Sequence, residues 1–287
     1  MSPNVFRLSG AWPPHSNNEA SLQQLETQGS GSTQFPNLNK QLSHVFPHDY
    51  TDNREDQWNN KNNNIINMND QAVLAMLVAT ASPASHHAMD TLSVLFTVRS
   101  RMLRKHAGEV SFPGGALDAT DASILAAALR ETREEIGVES VLVLGALPTL
   151  PDISLRIKVS PFLGVACWRP YCGGDVDSVV EEVRHWGSIP ESQMGSVRVK
   201  TVEELGMTMN RDEVDSCFSL TLRDLLDPEK RRMQDFRDGT GLKIPVWNGP
   251  NNEQIWGLTA FVLDDLLKNV VAPSLDVEYG NLKIKDL

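Results

Sequence analysis

Apolar and polar positions are unevenly spread along the chain, and the main break falls near Asp70. Residues 1–68 are rich in Asn, Gln, Ser and Pro, with "WNNKNNN" at 58–64 as the extreme. Such a segment buries too little apolar surface to offset its chain entropy, so it reads as a disordered extension. From Asp70 onward short apolar runs take over. "QAVLAMLVA" (71–79), "TLSVLFTVR" (91–99), "VLVLGALPTL" (141–150) and "IKVSPFLGVAC" (157–167) each predict a strand. Between the second and third of these, a glycine loop leads into helical periodicity from about Ala122 to Ile136, with Gly137 placed as its C-cap.

Residues 168–209 turn polar and charged and read as an inserted loop, with a short helix at "VDSVVEEVRHW" (176–186). "DEVDSCFSLTLRDLLDP" (212–228) predicts a strand and a short helix stopped by Pro228. The segment 244–270 predicts a hairpin turning at "NGPNN" and then a closing amphipathic helix. Helices and strands alternate, yet several connections are too short for parallel crossovers. The expected fold class is therefore α/β in the wider, α+β sense: a mixed sheet sandwiched between helices. It occupies residues 69–272 and is followed by a tail at 273–287.

Composition narrows the function. With 40% hydrophobic and 22% charged residues the chain has ordinary globular character, and no run approaches the 18 apolar residues of a membrane span, so the expectation is a soluble protein with no membrane partner. A formal net charge of -11 argues against a nucleic-acid binder, whose affinity would rest on Lys and Arg. Cys167, Cys172 and Cys217 lack CxxC spacing and suit an intracellular, reducing compartment. The N-terminal stretch has neither the apolar core of a secretory signal nor the Arg content of a typical transit peptide, and "KIKDL" is not a peroxisomal Ser-Lys-Leu ending. Cytoplasm, mitochondrion and peroxisome all satisfy these observations, as do a monomer and a homodimer.

The chemistry concentrates in "LRETREEIG". Glu131, Glu134 and Glu135 are spaced i, i+3 and i+4 on one helix face, while Ile124, Leu125, Ala128, Leu129, Thr132 and Ile136 form the side that should pack on the sheet. One reading is a solvated acidic face eased by Arg130 and Arg133. The other is a magnesium site, because that ion takes carboxylate oxygens together with waters and substrate phosphates. The upstream pair Gly114 and Gly115 favours the second, since a glycine loop lets backbone approach a ligand closely.

These residues resemble the Nudix box, G-x5-E-x7-R-E-U-x-E-E-x-G-U with U aliphatic, through Gly115, Arg130, Glu131, Glu134, Glu135, Gly137 and Val138. The spacer after Gly115 is one residue longer, Ala122 stands where the box has its first glutamate with Asp121 beside it, and Thr132 replaces an aliphatic residue. Upstream, "LFTVRSRMLRKHAGEVSFPGG" resembles the signature of the coenzyme A diphosphatase branch through Thr97, Arg99, Ser100, Arg104, Gly108 and Phe112 to Gly115, with Phe96 as the mismatch. Asp118 and Asp121 fit the longer spacer of that branch.

The resemblance implies a Nudix fold and magnesium- or manganese-dependent hydrolysis of a small molecule, coenzyme A, to 3',5'-ADP and 4'-phosphopantetheine. It implies Glu131, Glu135 and Glu134 as metal ligands, a Gly115 carbonyl as a further one, and Arg130 as the group that orients the glutamates by ion pairing. The general base is a helix glutamate or a carboxylate from a later loop. Glu213 is the candidate there, and a plain surface acid is its alternative. Arg99, Arg104, Lys105 and His106 form a basic cluster that a solvated loop would also explain; with the motif, it becomes the binder of the coenzyme A phosphates, with Gly114 and Gly115 at the diphosphate. Trp247 and Trp256 are candidates either for stacking an adenine or for the core. A hydrolase of other nucleoside diphosphate derivatives and a silent nucleotide sensor are the alternative functions. The retained, mutually repelling glutamates speak against the sensor.

Overall fold

Two helices on opposite faces of one sheet set the architecture. The computed structural model describes residues 5–7, 69–81, 87–152, 156–166, 196–236 and 243–280. Its strands are β1 (Val5–Arg7), β2 (Asn69–Ala79), β3 (Leu92–Arg99), β4 (Val110–Ser111), β5 (Gly114–Ala116), β6 (Val141–Ala146), β7 (Leu150–Pro151), β8 (Ile157–Ala166), β9 (Ser196–Arg198), β10 (Val214–Thr221), β11 (Arg232–Asp235), β12 (Lys243–Asn248) and β13 (Gln254–Ile255). The helices are α1 (Ala88–Thr91), α2 (Ile124–Ile136), α3 (Leu222–Leu226), α4 (Gly257–Leu266), continued by a π-helical turn at Leu267–Val271, and α5 (Ala272–Ser274).

The main sheet runs β10-β3-β2-β8-β6, with β4 on β3, β5 on β2 and β7 on β8. Only the β2–β8 pair within it is parallel, so the sheet is mixed. β2 is apolar at nearly every position because both its faces are covered. Ala72, Leu74, Met76 and Val78 join the cluster that holds Leu125, Ala127, Ala128 and Ile136 of α2. Ala75, Leu77 and Ala79 join the opposite cluster, which holds Leu263 and Leu266 of α4. Trp247 is in that second core, its indole N–H donating to the Leu225 carbonyl at 3.1 Å.

Several expectations shift in detail. Helix α2 starts at Ile124 rather than Ala122, because Ser123 is extended and its hydroxyl accepts the Ala126 N–H at 3.0 Å. The run 141–150 is two strands. β6 holds β8 as far as Ala146 opposite Phe162, and β7 resumes at Leu150 opposite Val159; Pro161 lies between and has no N–H to give. The tail boundary at 273 has no physical counterpart, since Leu275, Val277 and Tyr279 pack on the core and the Tyr279 hydroxyl donates to Asp264 at 2.6 Å.

Residues 167–195, which take in most of the polar segment 168–209, lie outside the described residues, with Cys167, Cys172 and the short helix expected at 176–186. Its end is tied down: Lys200 N–H donates to the Ala166 carbonyl at 2.9 Å and Thr201 bridges Ala79. Of the N-terminal extension only residues 5–7 are described, and they are a strand paired antiparallel with β9, where disorder was expected. Among the described residues no helix is long and apolar enough to cross a membrane.

Candidate metal and diphosphate site

The site is built where the short strand β5 lies along β2. Ala72 faces Gly115 and Val73 faces Gly114 in antiparallel register. Gly114 has a φ of 144°, and a Cβ there would fall 2.2 Å from the Ala72 carbonyl oxygen, so no other residue fits. A Cβ on Gly115 would fall 2.4 Å from the Glu131 carboxyl carbon. The two glycines therefore have separate uses. Gly114 lets the backbone close on β2, and Gly115 leaves room for a carboxylate.

Helix α2 presents Glu131 and Glu135 to this strand. Glu135 is only 3% exposed and accepts the Gly114 N–H at 3.1 Å. A third carboxylate arrives from the loop before β10. There Thr208 N–H donates to the Ile136 carbonyl at 3.0 Å and Asn210 N–H to the Glu135 carbonyl at 2.9 Å, so the loop satisfies carbonyls that the end of α2 leaves open. Gly137, left-handed at φ 72°, lets the chain turn out of the helix against Thr208. Asn210 then donates its amide to Glu213 Oε1 at 3.2 Å, and Ser100 N–H donates to the Glu213 carbonyl at 2.8 Å. The result is that Glu131, Glu135 and Glu213 each offer an oxygen, all within 4.8 Å of one another.

Three carboxylates so close are electrostatically unfinished. Burial, first of all, pushes the Glu135 carboxyl up to about 7; the Gly114 N–H and the charge of Arg99 pull the other way, and Glu131 and Glu213 add to the rise. Glu131 is raised as well, again chiefly by burial. The donor set is all oxygen, anionic and convergent, which fits a hard divalent cation that would discharge the repulsion.

The remaining predicted residues fall into different surroundings. Glu134 does not join the trio; its side chain is 55% exposed and pairs with Arg130 at 2.8 Å. The acidic face thus divides, because the buried stripe of α2 is wide enough to include Ala126, Ala127 and Glu135. Arg130 grips Asp121 through two bonds of 2.9 and 3.0 Å, reaches Glu131 at 3.1 Å and donates to the Ala116 carbonyl at 3.1 Å. Asp121 is held below the ordinary carboxylate range by that guanidinium. The longer spacer therefore delivers an acid to Arg130, and Asp118 shapes it by accepting from the Thr120 N–H at 3.0 Å.

The basic cluster also divides. Arg99 ends β3, and its Nε is buried without a hydrogen-bond acceptor among the described residues. Arg104, Lys105 and His106 sit in the exposed turn between β3 and β4, where His106 has φ 56° and its Nδ1 lies 3.0 Å from Glu109. Arg101 is 86% exposed and 3.8 Å from Asp215. Trp247 is core, and Trp256, 40% exposed, precedes α4. Burial first, and then Glu135, push the Cys217 thiol up to about 12, so it stays protonated and offers no thiolate. Sequence reasoning gave no role to Asn210, which donates to Glu213 and stands two residues ahead of "DEV".

Two carboxylates from a helix and a third from a loop, gathered beside a glycine strand of a mixed sheet covered by helices, define a class of α+β proteins with an acidic site suited to a cation. The NUDIX domain pattern matches residues 83–158, a span that contains Gly114, Gly115, Glu131 and Glu135 but stops before Glu213. An uncharacterized Nudix hydrolase NudL of Salmonella paratyphi B is 41% identical over 205 residues, covering 70% of this chain and 82% of its own. The NudL of Citrobacter koseri is 43% identical over 106 residues, and there the match spans 50% of the relative's length. The chain belongs to the Nudix hydrolase family. Among solved structures, an Enterococcus faecalis MutT/nudix family protein aligns at 13% identity over 86% of this chain and 89% of its own with a TM-score of 0.36. A C. elegans Ap4A hydrolase does so at 13% identity over 55% and 84% with a TM-score of 0.34.

The raised Glu135 has a thermodynamic consequence. Its folded-state pKa of about 7 exceeds its ordinary value of 4.5, so the folded protein holds the proton more tightly than the unfolded chain. That stability is fully present below pH 4.5 and is lost as the pH rises through 7, a change of roughly 3 kcal/mol. In EDTA the melting temperature is expected to show this loss across that window; excess magnesium should restore stability above pH 7. A melting temperature independent of both pH and magnesium would contradict it.

Proposed function

We propose that the chain is a hydrolase that uses magnesium or manganese to cleave the diphosphate of coenzyme A, giving 3',5'-ADP and 4'-phosphopantetheine. The supporting observation is the convergence of Glu131, Glu135 and Glu213 beside the Gly114–Gly115 strand, one strand away from an exposed basic turn. When bound, the cation neutralises diphosphate oxygens and acidifies a water. Glu131 and Glu135 would hold it, aided by the Gly115 backbone. Glu134 serves indirectly, by fixing Arg130 against Glu131. Glu213, which comes from the loop before β10 and not from the helix, accepts the proton of the attacking water. One P–O bond forms to that water while the P–O bond to the bridging oxygen breaks. Arg104, Lys105 and His106 take the phosphate distal to the cleaved bond.

The test is a substrate panel. Coenzyme A with magnesium should release 3',5'-ADP, and dephospho-coenzyme A should be a poorer substrate. Replacing Arg104 and Lys105 together with Ala is expected to lower kcat/KM for coenzyme A about 10- to 100-fold, mostly through KM, because each hydrogen bond lost from this exposed turn is worth about 0.7–1.4 kcal/mol. Dephospho-coenzyme A should be little affected. Equal rates with and without the 3'-phosphate would dismiss this substrate in favour of another nucleoside diphosphate derivative.

A further inference from the structure

Arg99 differs from the basic residues that follow it. Its backbone is fully engaged, with N–H donating to Glu109 and carbonyl accepting from Gly108, both at 2.9 Å, and it lies opposite Val214 in the β3–β10 pairing. The next residue, Ser100, is sewn to the loop that carries Glu213: its hydroxyl donates to the Arg211 carbonyl at 3.1 Å and its N–H to that of Glu213 at 2.8 Å. Arg99 is thus fixed at the edge of the carboxylate trio while Arg104 and Lys105 extend into solvent. Its charge acts on Glu135. Yet among the described residues its Nε, fully buried, donates to nothing, on a strand whose next residue is bonded to the Glu213 carbonyl. Buried guanidinium N–H groups are rarely left so, and an acceptor supplied by a ligand is the natural complement.

We infer that Arg99 is the internal counter-charge of Glu131, Glu135 and Glu213 and donates to an oxygen of the diphosphate being cleaved, taking no part in reading a distal phosphate. The inference rests on the diphosphatase reading above and refines which end of the substrate this residue serves. Before any ligand binds, Arg99 lowers the repulsion among the carboxylates without sealing any of them in an ion pair. Its planar Nε–H stays free for a phosphoryl oxygen. A cation entering the trio meets this fixed positive charge, so removing the charge should strengthen metal binding even as it weakens catalysis.

The experiment uses the full chain with Arg99→Gln and Arg99→Lys. Manganese alone is titrated by electron paramagnetic resonance at pH 8.5, where proton competition for the carboxylates is small. Arg99→Gln is expected to bind manganese about three- to tenfold tighter, as loss of a nearby charge at partial screening implies. Arg99→Lys should stay within about twofold of wild type. Steady-state kinetics with coenzyme A and dephospho-coenzyme A should show kcat falling about 100-fold for Arg99→Gln on both substrates alike, with Arg99→Lys intermediate. A loss confined to coenzyme A, or manganese affinity unchanged or weakened in Arg99→Gln, overturns the inference. Should Arg99→Gln fail to fold, Arg99→Lys decides by whether its kcat loss is the same on both substrates. If the wild type turns over neither substrate, the coenzyme A reading falls and the manganese titration alone tests the counter-charge.

Discussion

Glu135→Gln is expected to reduce turnover about 1,000-fold, roughly 4 kcal/mol in the barrier, while leaving the fold intact. The amide oxygen of glutamine can still accept the Gly114 N–H that Glu135 accepts at 3.1 Å, so the link between α2 and β5 is retained. What disappears is one negative charge of the trio, and with it one of the proposed cation ligands. Because burial holds Glu135 up to about 7, ionising it at alkaline pH costs folding energy, and the variant loses that cost. At pH 8 in EDTA it should therefore melt at or above the wild-type temperature, yet gain less from magnesium. Activity and stability moving in opposite directions is the signature of a functional charge. A variant that keeps wild-type turnover, or that melts well below wild type in EDTA, would remove Glu135 from the cation site.

Gly114→Ala is expected to be the most damaging small substitution in the domain. The new methyl would meet the Ala72 carbonyl oxygen at 2.2 Å and the Val73 Cα at 2.7 Å, both backbone atoms of the central strand, and the φ of 144° is closed to alanine in any case. The loss should be on the order of 3–5 kcal/mol, seen as a fall of 10 °C or more in melting temperature together with loss of cation binding. Gly115→Ala differs. Its methyl meets the movable carboxylate of Glu131, so it should retain more stability and lose the site. If Gly114→Ala melted like wild type, the close approach of β5 to β2 would be wrong.

Strands and the glutamate helix were legible because their patterns are local. Spacing singled out Gly114, Gly115 and Glu131 as candidates; Glu213 was a candidate with a plain surface acid as its alternative, and its approach to Glu131 and Glu135 belongs to the fold. The chain could not reveal that Glu134 would part from Glu131 and Glu135. Spacings of three and four both count as one face, and only the breadth of the buried stripe through Ala126 and Ala127 decides which acid turns inward. Nor could it show that Asp121, nine positions before Arg130, would become that arginine's bidentate partner. The basic run from Arg99 to His106 looked uniform, yet β3 ends at its first residue, leaving one arginine against the sheet and the rest in a turn. In each case the deciding contact is between segments that only the fold brings together.

The backbone bond from Lys200 to Ala166 fixes the two ends of the chain between them at 2.9 Å. With the two ends held together, each doubling of the length between them adds only about 0.6 kcal/mol of closure entropy. A change of length between these two ends is expected to leave Glu213 undisturbed, since its loop begins beyond the clamp. Insertions and deletions should therefore accumulate between these two residues, while the spacing from Lys200 to Glu213 stays constant, since every residue in that stretch counts toward where the third carboxylate lands.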